Sequence, residues 1–141
     1  MLKRFSFLLS CTLVCSITGC KGEVVHYKTA PVSGILTCQG KPVPGVQVNF
    51  SPQSGEGRSA SMPGKSASGK TDSNGRFTLS TYDINDGAVV GIHNVSVSIE
   101  EDSENPQQAA VSLKLLRPCL NATLEIEVKA EKNEIDLKLG E

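Results

Sequence analysis

The sequence predicts an all-β protein, an antiparallel β-sandwich of about seven strands. Three observations predict it. Apolar residues recur with a period of two from residue 46 onward, which is how a strand with one buried and one wet face is written. Gly, Pro, Asn and Asp gather between those runs, where turns need positive or fixed φ. No stretch carries a convincing helical period.

The elements follow in order. In "VQVNF" (46–50), Val46, Val48 and Phe50 alternate with Gln47 and Asn49; "RFTLST" (76–81) sends Phe77 and Leu79 one way and Thr78 and Ser80 the other. "HNVSVSIE" (93–100) alternates Val95, Val97 and Ile99 with Asn94, Ser96 and Ser98. "TLEIEV" (123–128) and "EIDLKL" (134–139) repeat the scheme through Leu124, Ile126 and Val128, then Ile135, Leu137 and Leu139. "QGKPVPG" (39–45) and "DSNG" (72–75) have turn compositions, and "KAEKNE" (129–134) is a polar connection of hairpin length. The Ser/Gly/Pro-rich stretch 51–69 is expected to loop out over its first part. Asp102–Ala110 reads as a loop, and Ser112–Leu116 as a short strand or a helical turn.

The N-terminus has a different purpose. Lys3 and Arg4 precede an apolar run, Phe5–Ile17, too short to span a bilayer comfortably. "ITGC" (17–20) resembles the bacterial lipobox, in which a peptidase cuts before a cysteine already carrying diacylglycerol. On that resemblance residues 1–19 are a lipoprotein signal peptide that takes Cys11 and Cys15 with it. Residues 20–31 are then the lipidated Cys20 and a tether, and residues 32–141 the domain. One acyl chain binds a membrane marginally, whereas two or more anchor stably. The expected location is the cell envelope. Lys21 after Cys20, where Asp would mark inner-membrane retention, leans towards the outer membrane.

Removing residues 1–19 leaves 122 of 141, the size of one domain. Without Lys3 and Arg4 the 14 cationic side chains become 12 against 15 acidic ones, a net charge near −3. No basic stripe survives, so nucleic acid is not an expected partner. With Trp absent and few other rings, sugar binding by aromatic stacking is poorly served. Two cysteines remain, Cys38 and Cys119, and outside the cytoplasm an even pair is most simply a disulfide. The alternative is two buried thiols. A metal site is not expected, since the Cys and His spacings are not those of zinc ligands.

Three stretches carry a family resemblance: "VSGILTCQGKPVPGVQVNFSP" (32–52), "ASGKTDSNGRFTLSTY" (67–82) and "DGAVVGIHNVSVS" (86–98). Together they resemble the carboxypeptidase regulatory-like domain, and more narrowly its lipid-anchored single-domain versions in planctomycete bacteria. The resemblance spans about residues 31–139 and implies a transthyretin-like sandwich. Cys38 stands where that pattern has an apolar residue, and "LLRPCLNAT" (115–123) is short against it. Both departures involve a cysteine, which links them as one change: a disulfide between the first strand and the shortened loop.

Candidate chemistry is sparse. Asp72, Asn74 and Gly75 imitate the start of a calcium loop, but position 81 is Thr where that loop needs Glu. Asp72 reads instead as a turn residue. His26 falls in the tether, and His93 falls on a strand face with Val95, where a buried, hydrogen-bonded ring is expected. No nucleophile motif accompanies it. The transthyretin-like hydroxyisourate hydrolase ends in Tyr-Arg-Gly-Ser, whereas this chain ends "DLKLGE". Glu100, Glu101, Asp102 and Glu104 read as a solvated acidic loop. The expectation is a non-enzymatic envelope module without cofactor or metal. It would be tied to the membrane by lipid and would bind or support another envelope protein or glycan. The second reading is a small-ligand carrier or hydrolase with a cleft near His93.

Overall fold

The computed structural model describes residues 25–55, 63–99, 105–120 and 122–140. It is mostly β, with several sheets and one short helix. The strands are β1 (Thr29–Ala30), β2 (Val32–Cys38), β3 (Lys41–Pro42), β4 (Gln47–Pro52), β5 (Ala67–Lys70), β6 (Arg76–Thr78), β7 (Ala88–Val89) and β8 (Gly91–Ser98). After the helix α1 (Pro106–Leu116) and a 3₁₀ turn (Arg117–Cys119) come β9 (Leu124–Val128), β10 (Asn133–Glu134) and β11 (Leu137–Leu139).

One sheet is organised around β2. β3 and β6 pair with it antiparallel, and β10 and β11 pair with it parallel. A second sheet runs β5-β4-β8-β9, antiparallel throughout. β1 and β7 form a two-residue pair, and a bridge between Ser68 and Ser80 joins β5 to the chain leaving β6. The apolar faces of both sheets share one core, with Val32 and Leu36 of β2, Val48 and Phe50 of β4 and Leu137 of β11 among its members. Phe50 and Phe77, from different sheets, meet with ring centroids 6.5 Å apart. The alternation expected for Val46–Phe50, for Phe77 and Leu79, and for His93 and Val95 is the alternation of burial observed.

Two expectations are corrected. The strands are not all antiparallel: residues 129–134 do not close a hairpin, because β9 belongs to the second sheet and β10 and β11 to the first. Asn133 is the physical reason. Its side chain accepts from the Lys129 N–H (2.9 Å) and donates to the carbonyls of Lys129 (3.0 Å) and Glu131 (2.6 Å), which turns the chain. Its own N–H then reaches Pro31 O at 2.8 Å and delivers the strand beside β2. The second correction is α1, which occupies much of the expected loop as well as Ser112–Leu116. Asn105 caps it by accepting the Gln108 N–H at 3.2 Å, and Pro106 takes the first helical position, where a missing N–H costs nothing.

β2 is flanked on both sides at Gly34. A Cβ there would lie 1.8 Å from the Ile135 carbonyl oxygen, so only glycine admits the parallel strand. Gly34→Ala is expected to cost about 3 kcal/mol, the upper end of overpacking penalties, read as a lowered midpoint in urea. An unchanged midpoint would contradict the parallel docking of the C-terminal strands.

Candidate functional site

The two ends of β2 carry the features that bear on function. At its C-terminal end Cys38 is bonded to Cys119 across a sequence separation of 81, with Cα atoms 6.1 Å apart, inside the ordinary range for a disulfide. Both cysteines are buried, and the Cys119 sulfur lies 3.4 Å from the Leu139 carbonyl oxygen. The bridge therefore fastens the end of α1 to β2 beside β11. Elsewhere the helix is held lightly. Leu116 and Ser112 are its buried residues, and the Ser112 hydroxyl is shared between the carbonyls of Pro44 and Gln108.

The opposite face of α1 is open. Ala110, Leu113, Lys114, Arg117 and Leu120 line a shallow groove of about 370 Å³, with Leu113 51% and Leu120 45% exposed. Steps of three and four residues place these side chains on one helical stripe. Among the described residues no carboxylate pairs with Lys114 or Arg117. Apolar floor and cationic edge together make a surface suited to an apolar, acidic complement.

At the other end of β2 the chain enters from residues 25–30. The His26 ring stacks on Tyr82, centroids 4.2 Å apart and planes 19° apart, and the Tyr82 hydroxyl accepts the Tyr27 N–H at 3.1 Å. The Lys65 ammonium lies 5.8 Å from the centre of the same Tyr82 ring. Tyr82 belongs to a closely braced loop, residues 81–87. The Asp86 carboxylate accepts the N–H groups of Thr81 (2.6 Å) and Tyr82 (3.0 Å). The Thr81 hydroxyl donates to Gly87 O at 2.7 Å, and the Asn85 N–H to the Ser80 hydroxyl at 2.9 Å. Burial opposes the Asp86 charge, but the surrounding N–H groups of Thr81, Tyr82, Asp83 and Asp86 outweigh it. Its carboxyl is held below the ordinary 3.8.

The remaining candidates fall into place as structure. His93 is 0% exposed; its Nε2 lies 2.6 Å from Val89 O and its ring centroid 5.7 Å from that of Phe50. It is a core residue on the face expected for it. Asp72 accepts the N–H groups of Asn74 (2.8 Å) and Arg76 (2.9 Å), which makes it a turn residue. Among the described residues no three His, Cys, Asp or Glu gather as metal ligands would, and no helix is long and apolar enough to cross a membrane. Cys20 and the acidic residues Glu100–Glu104 lie outside the described residues. The sequence pattern does not announce the α1 stripe or the Tyr82 cluster. Pro106 after Asn105 was the available signal for the first; for the second, His26 and Tyr82 stand too far apart in sequence to suggest a stack.

No protein-family model matches the chain, and no curated protein does. Among solved structures it is similar to a DUF3823 family protein from Parabacteroides merdae ATCC 43184, known from a crystal structure at 1.80 Å resolution. The two share 15% identity and a TM-score of 0.45, over 81% of this chain and 47% of that one. The chain thus spans about half the length of that structure.

Two outcomes follow from this geometry. Replacing both Cys38 and Cys119 by Ala is expected to lower the free energy of unfolding by up to about 4.5 kcal/mol on the chain-entropy scale, measured in guanidinium. An unchanged value would mean the bridge does not constrain the unfolded chain. Asp86 gives a pH signature. Its folded carboxyl is more acidic than its unfolded one, so its contribution is present above pH 3.8 and lost as pH falls through the lower folded value. The difference in Tm between the wild type and Asp86→Ala should be full at pH 6 and close below pH 3.8. A difference independent of pH would show that charge is not what braces the loop.

Proposed function

We propose that this protein is a lipid-anchored, non-enzymatic binding module of the bacterial cell envelope. The domain is a transthyretin-like sandwich of about seven strands, of the carboxypeptidase regulatory-like type, and acyl chains on Cys20 hold it to the membrane. The motif residues that suggested this type have consistent local roles: Gly34 admits a neighbouring strand, and Asp72 closes its turn. The N-terminal pattern of cations, apolar run and "ITGC" supports the anchor.

The observation that carries the reading is the outward stripe that runs from α1 through the 3₁₀ turn to Leu120, with Leu113 and Leu120 half-exposed alongside Lys114 and Arg117. Single exposed apolar residues need no explanation, but an apolar row beside cations that meet no carboxylate among the described residues supports reading this face as a contact surface. Among the described residues no aromatic ring lines it, which favours a protein partner over a glycan. That partner should offer apolar side chains bordered by Asp or Glu. A carrier cleft at His93 has no comparable support, because the ring is sealed against Phe50.

The test has two parts. Intact mass of the protein from its native membrane should show a chain beginning at an acylated Cys20. Photo-crosslinking from position 113 in the same membranes should give a discrete protein adduct that Lys114→Glu with Arg117→Glu abolishes. An unacylated chain sinks the anchor, and an adduct indifferent to the charge reversal sinks the docking face.

A further inference from the structure

The braced loop between β6 and β7 holds a side chain out in water. Ile84 is 90% exposed. Exposure of one aliphatic residue means nothing by itself, but here a closed hydrogen-bonded loop fixes it outward beside the incoming chain. Asn85, the next residue, adopts φ 61, a left-handed conformation that asparagine takes more readily than most residues other than glycine, and Asp86 ties the loop closed behind it.

The same loop is the seat of the tether. His26 and Tyr27 are held on Tyr82, two residues from Ile84. If Cys20 carries the lipid, as the proposed function has it, four residues and hence five Cα–Cα steps separate the anchor from Val25. At about 3.6 Å per extended residue they reach ~18 Å at most. The Tyr82 pole of the domain is therefore confined to the neighbourhood of the headgroups. α1 is not, because it is bonded to the far end of β2, a strand of seven residues, or roughly 20 Å.

We infer that the 81–87 loop is the domain's membrane contact, with Ile84 entering the acyl boundary of the bilayer that holds the anchor and α1 directed away from it. The chemistry around Ile84 suits that boundary. Tyr82 offers a ring with a hydroxyl at headgroup level, as interfacial aromatics do, and Lys28 and Lys65 are exposed where lipid phosphates lie. Asp83 is exposed beside Ile84 and opposes deep insertion, so the contact is shallow. The acyl chains supply the affinity, and the isoleucine fixes which way the domain faces.

The protein contains no tryptophan, so single-Trp variants report position without background. Ile84→Trp and Leu113→Trp both replace exposed residues and should fold. Each acylated protein is reconstituted into phosphatidylethanolamine–phosphatidylglycerol vesicles with brominated acyl chains. The expected result is a blue-shifted, strongly quenched emission from position 84 and the unquenched emission of a water-exposed indole from position 113. Quenching at 113 without quenching at 84, or quenching at neither, overturns the inference. Intact mass of the same samples separates the two ways of failing. Missing acyl chains refute the anchor and the contact with it, whereas an acylated protein unquenched at 84 refutes the contact alone.

Discussion

The structure depends on the backbone of β2. Four strands hydrogen-bond to that one strand: β3 and β6 antiparallel, β10 and β11 parallel. Such a strand must supply every N–H and C=O to a neighbour, because a buried backbone group left unpaired costs as much as a lost hydrogen bond. Gly34 is where the crowding is greatest, and the absence of a side chain there lets Ile135 approach while its N–H reaches Ser33 O at 2.8 Å. The core follows from this arrangement. Val32, Leu36 and Cys38 point inward from β2, and Leu137 and Leu139 are set beside them because their strand has nowhere else to pair.

A strand that holds a sheet together also separates two poles. The first is fastened covalently by Cys38–Cys119, which makes α1 part of the rigid body although little of its surface is buried. The second is fastened by polar and aromatic contacts around Tyr82 and Asp86, which fix the chain leading in from Val25. The fastenings differ in kind because the poles differ in material. The helix buries one large apolar residue fully, Leu116, with Leu115 packed partly against the core, so a covalent bond supplements a narrow hydrophobic face. The loop has a carboxylate and enough N–H groups to form a closed hydrogen-bonded turn.

The sequence made faces legible and partners illegible. Alternation in "VQVNF" or "DLKL" says which side chains share a face, and burial follows it. Alternation has no direction, however, so it cannot separate a parallel from an antiparallel neighbour. The parallel docking of Leu137–Leu139 rested on Asn133, whose side chain turns the preceding segment and whose position in a polar stretch looked like an ordinary loop. α1 was hidden for a related reason. Its inward residues are Ser112 and Leu116 while Leu113 and Val111 face water, so its apolar pattern does not mark the buried side. The disulfide was approachable because two departures from a resembled pattern coincided at cysteines. The Tyr82 cluster offered nothing local to read, since its members come from three separate segments.

The charge on the α1 stripe constrains what it can meet. In an isologous pairing of two copies each helix would bring Lys114 and Arg117 to the same contact, and a symmetric interface sets a surface patch against itself. Among the described residues that line the groove there is no acid to interleave with them. Like charges brought together while water is removed oppose association, which weighs against self-pairing, and so the partner proposed for this face is a different chain. On that proposal its apolar side chains would set the contact and its cations the partner. Exposed cations are screened by salt, so that choice of partner weakens as ionic strength rises while the apolar contribution persists. Discrimination on the proposed face would therefore be electrostatic, and separable from the packing of Leu113 and Leu120.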